Sequence, residues 1–319
     1  MPLIDMPLTE LKEYMGRNPK PDDFTEYWDR ALQEMRKVNP NVELIPSDFQ
    51  TTYAECFHLY FTGVRDARIH AKYVRPRHTS GTHPAVIHFH GYTMNAGEWT
   101  GLLHYAALGY SVLAMDVRGQ GGLSEDTGGV KGNTHSGHII RGLDDNADQL
   151  LFRHVFLDTA QLANIVMNLP EVDEERVAVT GWSQGGALAI ACAALEPKIK
   201  KVAPVYPFLS DYQRVWEMDL AEKAYDELQT YFRRFDPQHR REAEIFTKLG
   251  YIDIQHLAPL VKGEVLLAVG LMDTVCPPST QFAMYNKLTT TKNIELYPDF
   301  AHEDLPGHRD RIFQFLSDL

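Results

Sequence analysis

The chain has 319 residues, 44% of them hydrophobic, and a formal net charge of −12. That length and apolar content allow one large core or two smaller ones. The acidic balance argues against nucleic acid or an anionic membrane as the main partner, since both require basic patches. Three cysteines, Cys56, Cys192 and Cys276, are odd in number and scattered, with neither metal-ligand spacing nor a disulfide framework.

The first residues, Met-Pro-Leu-Ile-Asp-Met-Pro-Leu, lack a basic region followed by a long apolar run. No stretch reaches the roughly 18 apolar residues of a membrane span, and a cytoplasmic location is expected. Residues 9–37 are predicted helical, because Leu11, Tyr14, Phe24, Tyr27, Trp28, Leu32 and Met35 recur as a buried stripe. Residues 51–73 alternate like antiparallel strands, with Gly63 near the turn.

The pattern then changes to short apolar runs at 85–90, 111–115, 177–180, 201–205, 265–269 and 294–297, with helical segments between them. Unbroken β-rich runs suit strands covered on both faces of a parallel sheet. The intervening helices imply right-handed crossovers. Two segments break this rhythm. Residues 119–141 are rich in Gly, Ser, Thr and His without periodicity and read as a long loop. Residues 211–254 are charged and helical, and read as a cap over the site or an oligomer contact. With no linker or internal repeat, the expectation is one domain over 1–319. It has a mostly parallel sheet flanked by helices, an N-terminal helical extension, and helices inserted before the strand at 265–269.

The chemistry is concentrated at Gly181-Trp-Ser183-Gln184-Gly185, which an apolar strand enters and an alanine-rich helix leaves. A bare G-x-S-x-G arises by chance, but this setting matches a nucleophile elbow, in which a sharp turn lifts one hydroxyl above the sheet edge. A Cβ at either glycine would crowd the turn. Serine is a poor nucleophile near neutral pH and needs a histidine base and a carboxylate to orient it. In α/β-hydrolases these follow in the order Ser, Asp or Glu, His. Asp273 leaves the strand at 265–269 and is the expected acid, with Asp299 and Asp304 in reserve; an Asp in a turn is often only a backbone cap. His302 follows the strand at 294–297 and precedes a final helix at 309–319, so it is the expected base. The alternative His308 otherwise reads as a solvated residue starting that helix. The oxyanion hole takes the N–H of Gln184, after the nucleophile, and that of Tyr92 in His90-Gly91-Tyr92, which otherwise reads as a plain strand-end turn. Trp182 and Phe208 are further acyl-pocket candidates, of a type that as often simply fills a core. No phosphate loop, H-E-x-x-H zinc motif or dinucleotide fingerprint is present, and the triad requires no metal or organic cofactor.

Taken together, Arg118-Gly119-Gln120, Gly181-Trp-Ser-Gln-Gly-Gly186 and His302-Glu303 occur in the order of a known group. His90-Gly-Tyr92, Gly137-His-Ile-Ile-Arg-Gly142 and Tyr206-Pro-Phe-Leu-Ser-Asp211 reinforce the likeness. The chain resembles carbohydrate esterase family 7, the acetyl xylan esterases and cephalosporin C deacetylases. The resemblance implies an α/β-hydrolase fold, deacetylation of short acyl esters on sugars such as xylo-oligosaccharides and on cephalosporin C, and the same triad and oxyanion donors. It implies structural roles near the site for Arg118 and Gln120. It also implies a homohexamer with sites facing an interior cavity and residues 119–141 at subunit contacts. The rival readings are a peptidase or lipase-like esterase on the same fold, and an inactive hydrolase-like binding protein. A peptidase needs residues to grip the peptide ends, which the sequence does not locate, and inactive relatives typically lack a triad member.

Overall fold

A computed structural model describes residues 4–127, 134–219 and 223–319. Among these, nine strands form one sheet: β1 (Glu43–Pro46), β2 (Ala54–Thr62), β3 (Arg68–Pro76), β4 (His83–Phe89), β5 (Ser111–Met115), β6 (Val172–Trp182), β7 (Lys201–Val205), β8 (Glu264–Gly270) and β9 (Lys292–Tyr297). Their spatial order is β1-β2-β3-β5-β4-β6-β7-β8-β9. The β1-β2-β3-β5 edge is antiparallel, and from β5 through β9 every pairing is parallel. This is the α/β-hydrolase fold with its mostly parallel sheet.

The unbroken apolar runs have a simple cause. Alternate side chains of a strand point to opposite faces, and here both faces are covered. Ala85, Ile87 and Phe89 of β4, Val177 and Val179 of β6, and Val265, Leu267 and Val269 of β8 join one core. Their neighbours Val86, Ala178, Ala203 and Ala268 join the other. The first core is closed by α1 (Leu8–Leu11), α2 (Phe24–Lys37), α4 (Leu151–Met167), α5 (Gln184–Leu195) and α10 (Pro278–Lys287). The second, with smaller side chains, is closed by α3 (Leu103–Ala107) and α11 (His308–Leu316). Every residue of α5 is buried, and its Gly- and Ala-rich surface lets it lie close against β6 and β7.

The N-terminal segment departs from expectation. Residues 9–37 are not one helix but α1 and α2, separated by an irregular stretch containing Gly16 at φ +80°, Pro19 and Pro21. A left-handed glycine and two prolines cannot continue a helix. The apolar stripe survives within α2, where Phe24, Tyr27, Trp28, Ala31 and Met35 are buried. β1, a short exposed edge strand, carries no alternation and was not anticipated. The expected turn at Gly63 joins β2 to β3. The described part of the 119–141 loop has neither helix nor strand, and residues 128–133 lie outside the described residues. The 211–254 insertion carries α6 (Tyr212–Glu217), α7 (Asp226–Phe235) and α8 (Glu242–Leu249), ending as α9 (Ile254–Leu257) begins; residues 220–222 lie outside the described residues. Among the described residues, no helix is long and apolar enough to cross a membrane.

Arg118 ties the loop after β5 to α4. Its Nε and Nη2 donate to the two oxygens of Asp158 at 2.7 and 2.6 Å, and its remaining reach goes to the Val64 carbonyl at 3.3 Å. Both side chains are essentially unexposed. Removing one partner of such a pair strands a buried charge, whereas removing both does not. Arg118→Met is therefore expected to lower unfolding stability in urea by about 3–5 kcal/mol. Arg118→Met combined with Asp158→Leu is expected to recover most of the loss. Equal losses in the single and double variants would contradict this role.

Candidate active site

The elbow between β6 and α5 holds Ser183 at φ 56°, ψ −118°, a conformation that a non-glycine residue adopts only under constraint. The constraint is visible in the backbone. Ser183 N donates to Val205 O at 3.0 Å, and Ser183 O accepts from Ala187 N and Phe208 N at 3.1 Å each. The flanking glycines are required by close approach. A Cβ on Gly181 would lie 2.5 Å from Gly185, and one on Gly185 would lie 2.1 Å from the Phe89 carbonyl oxygen.

Asp273 sits in the turn after β8 and is fully buried. Its two oxygens have separate duties. Oδ1 accepts the Val275 and Cys276 amides at 2.8 Å each, while Oδ2 meets His302 Nδ1 at 2.8 Å. The cap and the partner of His302 are thus one residue. The acid and histidine loops are themselves stitched together, Leu271 N to Tyr297 O at 3.0 Å and Met272 N to Phe300 O at 2.9 Å. Cys276, whose amide caps Asp273, is a fully buried thiol close to Ser183. Asp273, Cys276 and His302 present ligand atoms within 4.8 Å of one another. The set does not suit a metal, because the Asp273 oxygens are committed to three hydrogen bonds and burial pushes the Cys276 thiol well above its usual range.

The reserve residues lie elsewhere. Asp299 is exposed, and Asp304 pairs with Arg309 at the surface. His308 starts α11 as expected but is 1% exposed rather than solvated. It packs edge-on against Tyr297, and burial pushes its pKa down to about 4. The helix start turns its ring into the protein, so its reading as a solvated residue is corrected.

Gln184 opens α5, where first-turn amides lack intrahelical partners. Tyr92 lies in the loop after β4. A reciprocal amide pair joins the start of α5 to the loop after β5: Gln120 Nε2 donates to Gln184 Oε1 at 2.7 Å, and Gln184 Nε2 donates to Gln120 Oε1 at 3.0 Å. Gln120 Oε1 also accepts Thr93 N at 2.9 Å, holding a residue at φ 62°. Asp116 reinforces the same loops, accepting Ala96 N at 2.6 Å and Leu123 N at 2.8 Å. His90 takes Val117 N on Nε2 at 3.0 Å and meets the Gly91 carbonyl through Nδ1 at 2.7 Å, which assigns the proton to Nδ1. Burial lowers its pKa, in keeping with that neutral tautomer. Gly119 turns the chain at φ +68° between Arg118 and Gln120.

Phe208 is buried and its ring meets Tyr92 at 5.6 Å. Trp182 packs into the other core, beside a cleft of about 600 Å³ between α3 and α11, with the Arg309 guanidinium 5.4 Å over its ring. Two further neighbours are given no site role by the sequence. Tyr206, at φ 33°, lays its ring 4.5 Å from His302; its position at the carboxyl end of β7, beside β6, is the signal that marks it. Glu227 on α7 accepts the Tyr92 hydroxyl, a contact across 135 residues with no local signature.

The chain matches the acetyl xylan esterase (AXE1) family over residues 1–319. Acetyl xylan esterase 1 from Thermoanaerobacterium sp. JW/SL YS485 is 63% identical, with 99% of each chain covered and a TM-score of 0.96. An acetyl xylan esterase from Paenibacillus sp. R4 is 35% identical, covering 98% of this chain and 99% of that one, with a TM-score of 0.92. The acetyl esterase Axe7A of Xylanibacter ruminicola is 27% identical over 301 residues, 92% of this chain, and the match spans 65% of that relative's length. A match along its whole length and a 63% identical structure place this chain in the acetyl xylan esterase family, as a carboxylic ester hydrolase.

Proposed function

We propose that this protein removes acetyl groups from acetylated xylo-oligosaccharides and related sugars, and from cephalosporin C, by a two-step acyl transfer through Ser183. The observation that carries the mechanism is the Asp273–His302 bond. With Asp273 as acceptor, His302 Nδ1 bears the proton and Nε2 is left basic. In the first step Nε2 takes the Ser183 proton as Oγ bonds to the acetyl carbonyl carbon. The amides of Tyr92 and Gln184 receive the oxyanion, each worth a few kcal/mol in hydrolases of this kind. The carbonyl re-forms, the sugar C–O bond to the acyl carbon breaks, and the departing alkoxide takes the proton from His302. Water then repeats the sequence on the acetyl-Ser183 ester, releasing acetate and restoring the serine. Tyr92 and Phe208 supply an aromatic wall at the acyl side, which supports a preference for acetyl over longer chains.

The substrate is a small-molecule ester, and the proposed chemistry requires no cofactor, nucleic acid or membrane. A cytoplasmic location is supported by three buried cysteines that are all unpaired. The homohexamer follows from the family resemblance, and a contact surface at 119–141 is supported by apolar exposure on and beside that loop, Leu123 at 54% and Met94 at 62%. Light scattering on a sizing column is expected to return six chain masses; a monomer mass would overturn the assembly.

Three kinetic outcomes are expected. With p-nitrophenyl acetate, Ser183→Ala is expected to lose about 10⁶-fold in kcat, and equal acetate release by the variant would overturn the esterase mechanism. Asp273→Asn is expected to lower kcat by about 10⁴-fold with little change in KM, and a wild-type rate would move the orienting role elsewhere. Across p-nitrophenyl esters, kcat/KM is expected to fall from acetyl to octanoyl, and a flat series would remove the aromatic wall from the account.

A further inference from the structure

Resting on the esterase reading, we infer that Glu227 is a positioning residue for the oxyanion hole, and that the insertion between β7 and β8 takes part in the site through it. Glu227 lies in the first turn of α7 and is 3% exposed. One carboxylate oxygen accepts the Tyr92 hydroxyl, and the other accepts Ile139 N at 2.8 Å. The nearby amides of Gly137 and Ile140 also favour its charged form. Its stabilising partners are therefore neutral donors, and burial raises its pKa.

A buried carboxylate is costly unless its lone pairs are met by donors. Here the donors come from two loops that are far apart in sequence. The 137–140 segment wraps the carboxylate, and Tyr92 reaches it from the oxyanion loop. The Tyr92 hydroxyl also accepts His138 N at 3.3 Å. Its ring is caught between His138 at 5.3 Å and Phe208 at 5.6 Å. With Gln120 holding Thr93 N at 2.9 Å, the residue whose amide is to receive the oxyanion is anchored through its side chain and through the peptide that follows it. Gln120 fixes the backbone after Tyr92, and Glu227 fixes its side chain. Because the oxyanion bond depends on distance and angle, an error of about 1 Å in that amide costs up to 100-fold in rate.

A second link between α7 and the same region provides a control. Tyr231, one turn further along α7, donates to Asp144 at 2.6 Å and does not touch Tyr92. If the insertion served only to pack down the 137–145 segment, loss of either link would have similar consequences.

The test compares Glu227→Gln, Tyr92→Phe, their double variant and Tyr231→Phe with the wild type. The readouts are thermal unfolding, kcat and KM on p-nitrophenyl acetate, and Ki for a methyl trifluoromethyl ketone, which forms a serine adduct bearing the oxyanion. Glu227→Gln keeps the shape but replaces one acceptor with a donor. It is expected to lower kcat by about 10-fold or more with KM changed by less than about threefold, and to raise Ki in parallel with the fall in kcat/KM. Tyr92→Phe keeps the backbone amide and should behave alike. The double variant should be no worse than the worse single one, since both cut the same link. Tyr231→Phe should keep kcat near wild type even if its melting temperature falls. If Glu227→Gln does not fold, Tyr92→Phe alone decides the matter. Unchanged kcat and Ki in the folded variants of the Tyr92–Glu227 pair, beside an active wild type, overturn this inference alone. A wild type without acetate release overturns the esterase reading and this inference with it.

Discussion

The backbone of Ser183 is the constraint around which the rest is arranged. A φ of 56° with a ψ of −118° is unfavourable for serine, and it persists because β7, α5 and the segment after β7 each bond to that residue. The geometry depends on distances that leave no room for a Cβ at Gly181 or Gly185. Strand, turn and helix are thus packed backbone to backbone, with the half-buried Ser183 at the carboxyl edge of the sheet. From that edge β8 delivers Asp273 and β9 delivers His302, joined by the 2.8 Å bond between them.

Around this centre the chain places buried polar contacts where a purely apolar core would leave the loops free. Gln120 and Gln184 satisfy one another and hold the Thr93 amide. Asp116 ties Ala96 and Leu123, and Arg118 anchors the same stretch to Asp158 of α4. Such a network is strong only when it is complete, since each unmet buried donor or acceptor costs free energy. The Arg-Gly-Gln segment touches none of the proposed reacting atoms; it sets the positions of the loops that do. Glu227 extends the same logic to the insertion.

How much of this the sequence disclosed depends on the range of each interaction. The strands β4 to β8 were legible because burial on both faces forces continuous apolar runs, whereas β9 is a half-buried edge strand marked only by its short apolar run. The placement of Ser183, Asp273 and His302 after β6, β8 and β9 was legible because the fold presents such residues at strand ends in a fixed order. The break between α1 and α2 was signalled by Gly16, Pro19 and Pro21 but outweighed by the apolar stripe on either side of it. β1 could not be read, because an exposed edge strand has no buried face to impose alternation. His308 looked like a surface residue because burial at a helix start is decided by α11 docking on the sheet, not by its neighbours in sequence. The contact of Tyr92 with Glu227 spans 135 residues and could not be read locally.

In the proposed mechanism Ser183 forms a covalent acetyl ester while His302, oriented by Asp273, moves the proton. Its most direct test is to mix the protein with p-nitrophenyl acetate, quench in acid within the first turnover, and map the acetylated peptide by mass spectrometry. One acetyl group is expected on the peptide bearing Ser183, at a yield that grows if deacylation is slowed and that vanishes in Ser183→Ala. An acetyl group on any other residue during productive turnover, or the same yield in Ser183→Ala, would contradict it.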